Sequence, residues 1–213
     1  MAKDSTSEKP EPKNIVLLSD GTGNSSASLF RTNVWRIYEA LDLSETGKGT
    51  GKKPYTVQIA SYGNGVGTSS FRPWALLTSA LGVGVKQNVC QIYSFLCRHY
   101  NPGDKIYCFG FSRGAYTVRS LAGALGAVGM PDLTDADLPD RVKWDLVKRA
   151  IRNYRNRKLG RFPKPGDGWP PDGRVACHAP EAVPVHFLGV WDTVGALGVP
   201  DDWALVQQVL TNH

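Results

Sequence analysis

Residues 108–116 read CFGFSRGAY and set Ser112 between Gly110 and Gly114. A serine hydroxyl becomes a nucleophile when a sharp strand-to-helix turn lifts it above a sheet and a base takes its proton. G-x-S-x-G is common by chance, so the flanks decide its meaning. KIYCFGF before it is apolar and strand-like, and AYTVRSLAGAL after it is helix-like. The two glycines leave room where strand and helix would otherwise collide. The alternative is a small residue at a tight turn. Asp192 ends the run HFLGVW and follows Ser112 in the chain, the order in which a triad acid is found in such folds. Its ordinary alternative is to cap the next turn. Candidate oxyanion donors are the Arg113 amide, at a helix start, and the Gly21 or Thr22 amide in SDGTGN. Asp20, in that same glycine loop, suits a bracing or metal role better than that of triad acid. The base is harder to place. His99 and His178 precede Asp192 in poor positions, His186 enters a strand, and His213 is the last residue, where chains fray.

These residues need a scaffold, and the hydrophobic pattern supplies one. NIVLLS (14–19) reads as a buried strand entering the loop DGTGNSS, and TNVWRIYEALDL as a helix capped by Thr32 or Asn33 with Val34, Ile37, Tyr38 and Leu41 on one face. YTVQIASY (55–62) is a second strand, followed by the loop GNGVG and a helical region from about Trp74 to His99. KIYCFGF (105–111) is a third strand, without polar alternation and so expected to be buried on both faces, and residues 113–127 form its helix. A charged segment runs to about Pro180, before VPVHFLGVWDTVGALG gives a fourth strand running into a loop. Strands alternating with helices predict an α/β fold, a mostly parallel sheet with helices on both faces. In such sheets ligands gather at the carboxyl ends of the strands. DGTGNSS, GNGVG, FSRGA and WDTVG all fall there.

The 213 residues suit one domain, able to bury roughly 70% of its unfolded surface. The expected division is a disordered tail over 1–13 and a domain over 14–213, with a basic, lid-like insertion at 131–180. Four cysteines without a C-x-x-C pair, three of them in apolar surroundings, fit a reducing compartment. MAKDSTSEKPEPK lacks the apolar core of a signal peptide, and PWALLTSALGVGV is too short and glycine-broken to span a bilayer. A cytoplasmic protein, exported if at all without a signal peptide, is the expectation. Of the net charge of +6, residues 141–164 carry ten Lys/Arg against Asp145 alone, which leaves the rest at 6 − 9 = −3. Within that segment Trp144, Val147, Ile151 and Tyr154 share one helical face. Either the stripe packs onto the domain, or the helix makes peripheral contact with an anionic membrane. The aromatics are too few for a nucleic-acid platform, so no nucleic acid is expected. DGTGNSS falls one glycine short of the dinucleotide fingerprint. Neither a cofactor nor a metal is expected.

Together, IVLLSDGTGNS, TNVWRIYEAL, YGNGVGT, GDKIYCFGFSRGAYTVRSLAGAL and FLGVWDTVGALG resemble the catalytic domain of the type VI secretion phospholipase effectors, α/β-hydrolases of bacteria and fungi. The resemblance runs from about Asn14 to Pro200, and GFSRGA with GVWDTVG makes it specific. It implies a serine lipase or esterase acting on a lipid or ester substrate, with Ser112 as nucleophile and Asp192 as acid. Family members continue into a histidine-bearing segment with no counterpart here, so the expectation is an α/β-hydrolase-like fold incomplete at its C-terminus. The competing expectation is a truncated, non-catalytic binding module or gene fragment.

Overall fold

The computed structural model describes residues 11–21, 31–43, 56–63, 74–158 and 175–193, with side chains from residue 84 onward in the fourth segment. Four parallel strands form the main sheet: β1 (Asn14–Ser19), β2 (Gln58–Gly63), β3 (Lys105–Phe111) and β6 (Val185–Trp191), in the order β2-β1-β3-β6. Parallel neighbours need crossovers, and helices provide them: α1 (Asn33–Ala40), α2 (Trp74–His99) and α3 (Arg113–Val128). Alternate residues of β1 feed two apolar layers. Ile15 and Leu17 join Ile106 and Cys108 of β3 under α2 and α3, and Val16 and Leu18 meet Val34 of α1 on the other face. The sheet is thus covered from both sides, as an α/β fold requires.

Burial differs from expectation in β3 and β6. Ile15 to Leu18 are buried without interruption, but in β3 only alternate residues are, with Tyr107 and Phe109 half-buried under the short α1. β6 lies outside β3, pairs with it alone among the described strands, and exposes Phe187 and Leu188. α1 stops at Ala40 rather than near residue 43, because Leu41 turns extended and donates its amide to the Tyr38 carbonyl. Its side chain still packs under the helix.

The charged segment contains α4 (Asp140–Lys158), whose Leu146, Val147, Ala150 and Ile151 are buried against α2 and α3. Trp144 and Tyr154 pack at the margin of the same cluster. The apolar stripe is therefore core, and the basic residues occupy the rest of the helix. Two strands of two residues each, β4 (Met130–Pro131) and β5 (Cys177–His178), pair antiparallel beyond α3. Elements so short carry no periodicity for a sequence to show. At the start of the described residues, Lys13 is tied to the sheet. Lys13 donates its amide and its Nζ to Asp104, at 2.9 and 2.6 Å, and its carbonyl accepts the Lys105 amide. Among the described residues, no helix is long and apolar enough to cross a membrane.

Candidate functional site

The carboxyl ends of β1, β3 and β6 meet in register. Ser19 pairs with Gly110, Phe111 pairs with Trp191, and the Ser112 amide extends that ladder by donating to the Trp191 carbonyl at 2.9 Å. Ser112 and Asp192 are thus the next residues on adjacent strand ends, where backbones lie about 5 Å apart. Both carry positive φ, 55° and 47°, and among the described residues no other non-glycine does. At φ 55° and ψ −119°, Ser112 occupies a region that costs on the order of 1–3 kcal/mol for an L-residue.

Close packing maintains this conformation. A Cβ at Gly110 would come within 2.7 Å of the Ala115 nitrogen, and one at Gly114 would land on the Ser19 carbonyl. No side chain fits at either position, so α3 starts directly against the end of β1. Ser112 precedes α3 where a capping residue would stand, yet its side chain makes no cap hydrogen bond. It is half-buried, neither lost in the core nor fully solvated. Arg113 begins the helix as a residue 8% exposed, and burial lowers the pKa of its guanidinium.

On the β1 side, Gly21 lies against the elbow: a Cβ there would sit 2.8 Å from the Phe111 ring and 3.2 Å from Ser112 Cβ. The Gly21 amide donates to Asp20 Oδ1 at 2.7 Å, while Thr22 lies outside the described residues. Asp20 is 2% exposed. Its Oδ2 accepts the Thr32 hydroxyl at 2.5 Å and the Tyr62 hydroxyl at 2.6 Å. Thr32 in turn accepts the Trp35 amide as the N-cap of α1. One carboxylate therefore ties the ends of β1 and β2 to the start of α1, the bracing expected of it. Tyr62 shows the effect: burial first, then the hydrogen bond to Asp20 and its charge, raise the phenol well above its usual pKa. Among the described residues no group of three His, Cys, Asp or Glu side chains has a metal-binding arrangement.

The described histidines stand elsewhere. His186 packs edge-on to Tyr107, five residues before the elbow and so roughly 16 Å from it along the strand. His99 ends α2, with Nδ1 2.7 Å from the Phe95 carbonyl. His178 pairs with Met130 beyond the far end of α3, and its Nε2 lies 4.0 Å from Asp132 Oδ2. His213 lies outside the described residues. What sequence reasoning missed is the cavity beside the elbow. It measures about 420 Å³ and opens between the start of α1 (Arg31, Thr32, Asn33, Arg36) and the strand ends (Phe111, Trp191, Asp192).

A parallel sheet flanked by helices, with a strained serine where its third strand turns into a helix, is the architecture of an α/β-hydrolase-like domain. The model of one such family, the T6SS phospholipase effector Tle1-like catalytic domain, matches residues 13–212, and the chain belongs to that family. It is also 27% identical over 212 residues to the uncharacterized protein YEL023C of Saccharomyces cerevisiae, covering 92% of this chain and 29% of that protein. The chain thus spans less than a third of the length of this relative. No solved structure matches it.

Proposed function

We propose that this chain carries the nucleophile of a serine ester hydrolase that acts on lipids. The reading rests on one observation above all: Ser112 is held at positive φ atop the sheet, its hydroxyl unused as a cap, on the strand end next to Asp192. Ser112 Oγ attacks the ester carbonyl carbon as a base takes its proton. The resulting oxyanion is held by the Arg113 amide, at the positive end of α3. With the Gly21 amide committed to Asp20, the Thr22 amide is the second donor. The intermediate collapses, the alcohol leaves with the proton from the base, and water then releases the acid from the acyl-serine. Asp192 orients and stabilises the imidazolium that forms. None of the three described histidines stands at this end, so the imidazole comes from outside the described residues. With the α4 stripe in the core, any contact of 141–164 with an anionic bilayer is electrostatic.

Fluorophosphonate labelling of the protein expressed from its complete gene tests this reading. Labelling of wild type and its loss in Ser112→Ala are expected. No labelling, or equal labelling of both, refutes it.

A further inference from the structure

The cavity at the elbow has a charge pattern that the proposed ester chemistry does not use. Its strand wall is aromatic, formed by Phe111 and Trp191, the last register pair of β3 and β6. Ser112 follows Phe111 in the chain and donates its amide to the Trp191 carbonyl, so the cavity adjoins the strand ends that lead into the elbow. Its α1 wall presents Arg31 and Arg36. Arg31 is ion-paired with Glu39, whereas Arg36 is exposed and has no ion-pair partner among the described residues. This is side-chain charge. The helix cap is already occupied, with Thr32 accepting the Trp35 amide. Asp192 also lines the cavity.

The volume falls within the usual range for small-molecule sites, mostly apolar with a few placed polar groups. One guanidinium without an ion-pair partner among the described residues suits one negative charge, and its planar fork matches two oxygens of a phosphate. A dianionic phosphomonoester would set a second charge against Asp192. A neutral ester would leave Arg36 unmatched. We propose that this cavity is a phosphodiester subsite in which Arg36 holds the headgroup phosphate of a glycerophospholipid and brings its ester to Ser112. The proposal rests on the nucleophile reading for the reaction but on Arg36 for the recognition, and the two fail separately.

The experiment compares phosphatidylcholine with a diacylglycerol of the same acyl chains, in mixed micelles, using the protein from its complete gene. Arg36 is exposed, so substitution there spares the fold. The ratio of kcat/KM for the phospholipid to that for the diacylglycerol is expected to fall about 10-fold or more in Arg36→Ala. It should fall further in Arg36→Glu and recover in part in Arg36→Lys. A ratio unchanged by Arg36→Ala overturns the subsite, while hydrolysis of both lipids leaves the nucleophile reading intact. Calorimetry with glycerophosphocholine, which has the phosphodiester but no acyl ester, gives the converse. Binding by wild type and not by Arg36→Glu, without hydrolysis of either lipid, upholds the subsite and sinks the nucleophile. No binding of glycerophosphocholine together with no hydrolysis overturns both. Inorganic phosphate binding as tightly as the diester overturns the selectivity claimed for Asp192.

Discussion

Replacing Asp20 by Asn keeps the shape of the side chain and removes its charge. Three donors converge on the carboxylate: the Gly21 amide at 2.7 Å, the Thr32 hydroxyl at 2.5 Å and the Tyr62 hydroxyl at 2.6 Å. An asparagine can still satisfy all three sites if its oxygen faces Gly21 and its NH2 donates to the two hydroxyls. Each bond then changes from charge-assisted to neutral, a loss of about 1 kcal/mol apiece. The summed loss, reduced by no longer burying a charge, comes to about 2–3 kcal/mol. Tyr62→Phe removes one donor and should cost about 1–2 kcal/mol in the wild type but less in the Asp20→Asn background. The double-mutant cycle should therefore show about 1 kcal/mol of coupling. Urea unfolding measures all four proteins. The phenol gives an independent readout. Its pKa is raised in the fold, so it destabilises the folded state as pH rises past about 10, where the unfolded phenol ionises. In Asp20→Asn the hydrogen bond to the carboxylate and its charge are gone, so the pKa should fall towards normal while burial keeps it raised. Asp20→Asn within about 0.5 kcal/mol of wild type, or an additive cycle, would refute the idea that one carboxylate clamps this end of the sheet.

Two further predictions concern backbone approach and a buried ion pair. Gly114→Ala drives a methyl into the Ser19 carbonyl. It should cost about 2 kcal/mol or more in thermal unfolding and slow fluorophosphonate labelling by displacing the elbow, whereas Gly126→Ala, with nothing near the added atom, should be neutral or stabilising. Asp104→Ala strands the Lys13 ammonium, whose side chain is only 15% exposed beside a fully buried carboxylate. The loss should be about 3–5 kcal/mol, and in hydrogen exchange the amides at the starts of β1 and β3 should open first.

The sequence made the four-stranded parallel sheet legible because β1 and β3 are unbroken apolar runs ending in glycine loops, a pattern that depends on local residues alone. Strand ends were harder. β2 begins at Gln58, three residues beyond the expected start, because Tyr55 to Val57 carry the same β-forming residue types as the strand itself. α4 shows the opposite case. The ten basic residues of 141–164 suggested a lid-like insertion, while the spacing of Trp144, Val147, Ile151 and Tyr154 offered a face to pack onto the domain, and it is that face the core takes up. Placing Ser112 beside Asp192 needed only the strand order and register, while Asp20's partners Thr32 and Tyr62 lie 12 and 42 residues away. No local pattern announces such a junction. The Gly21 amide was a reasonable oxyanion donor by position, and only the geometry reveals its bond to Asp20.

On the proposed reading of Ser112 as nucleophile, the division of labour between the ends of the sheet limits where its base can come from. α3 begins at the elbow and runs for 16 residues, roughly 24 Å, before Gly129 turns the chain into β4. His178 sits there, opposite Met130. His99 ends α2 near the start of β3, and the rings of His186 and Tyr107 meet in the lower half of β6 and β3. All three are held by packing at the amino end: His99 against Phe95, His178 against Tyr100, His186 against Tyr107. Moving any of them to Ser112 would require a strand or helix to shift by most of its own length, at the cost of the core it supports. An imidazole at Asp192 must therefore arrive on a segment that crosses the carboxyl end of β6, where Trp191 and Asp192 already form one wall of the cavity. On the two proposals taken together, the base and the lipid headgroup would approach Ser112 over neighbouring parts of the same surface, so substitutions around Trp191 should affect proton transfer and substrate binding together.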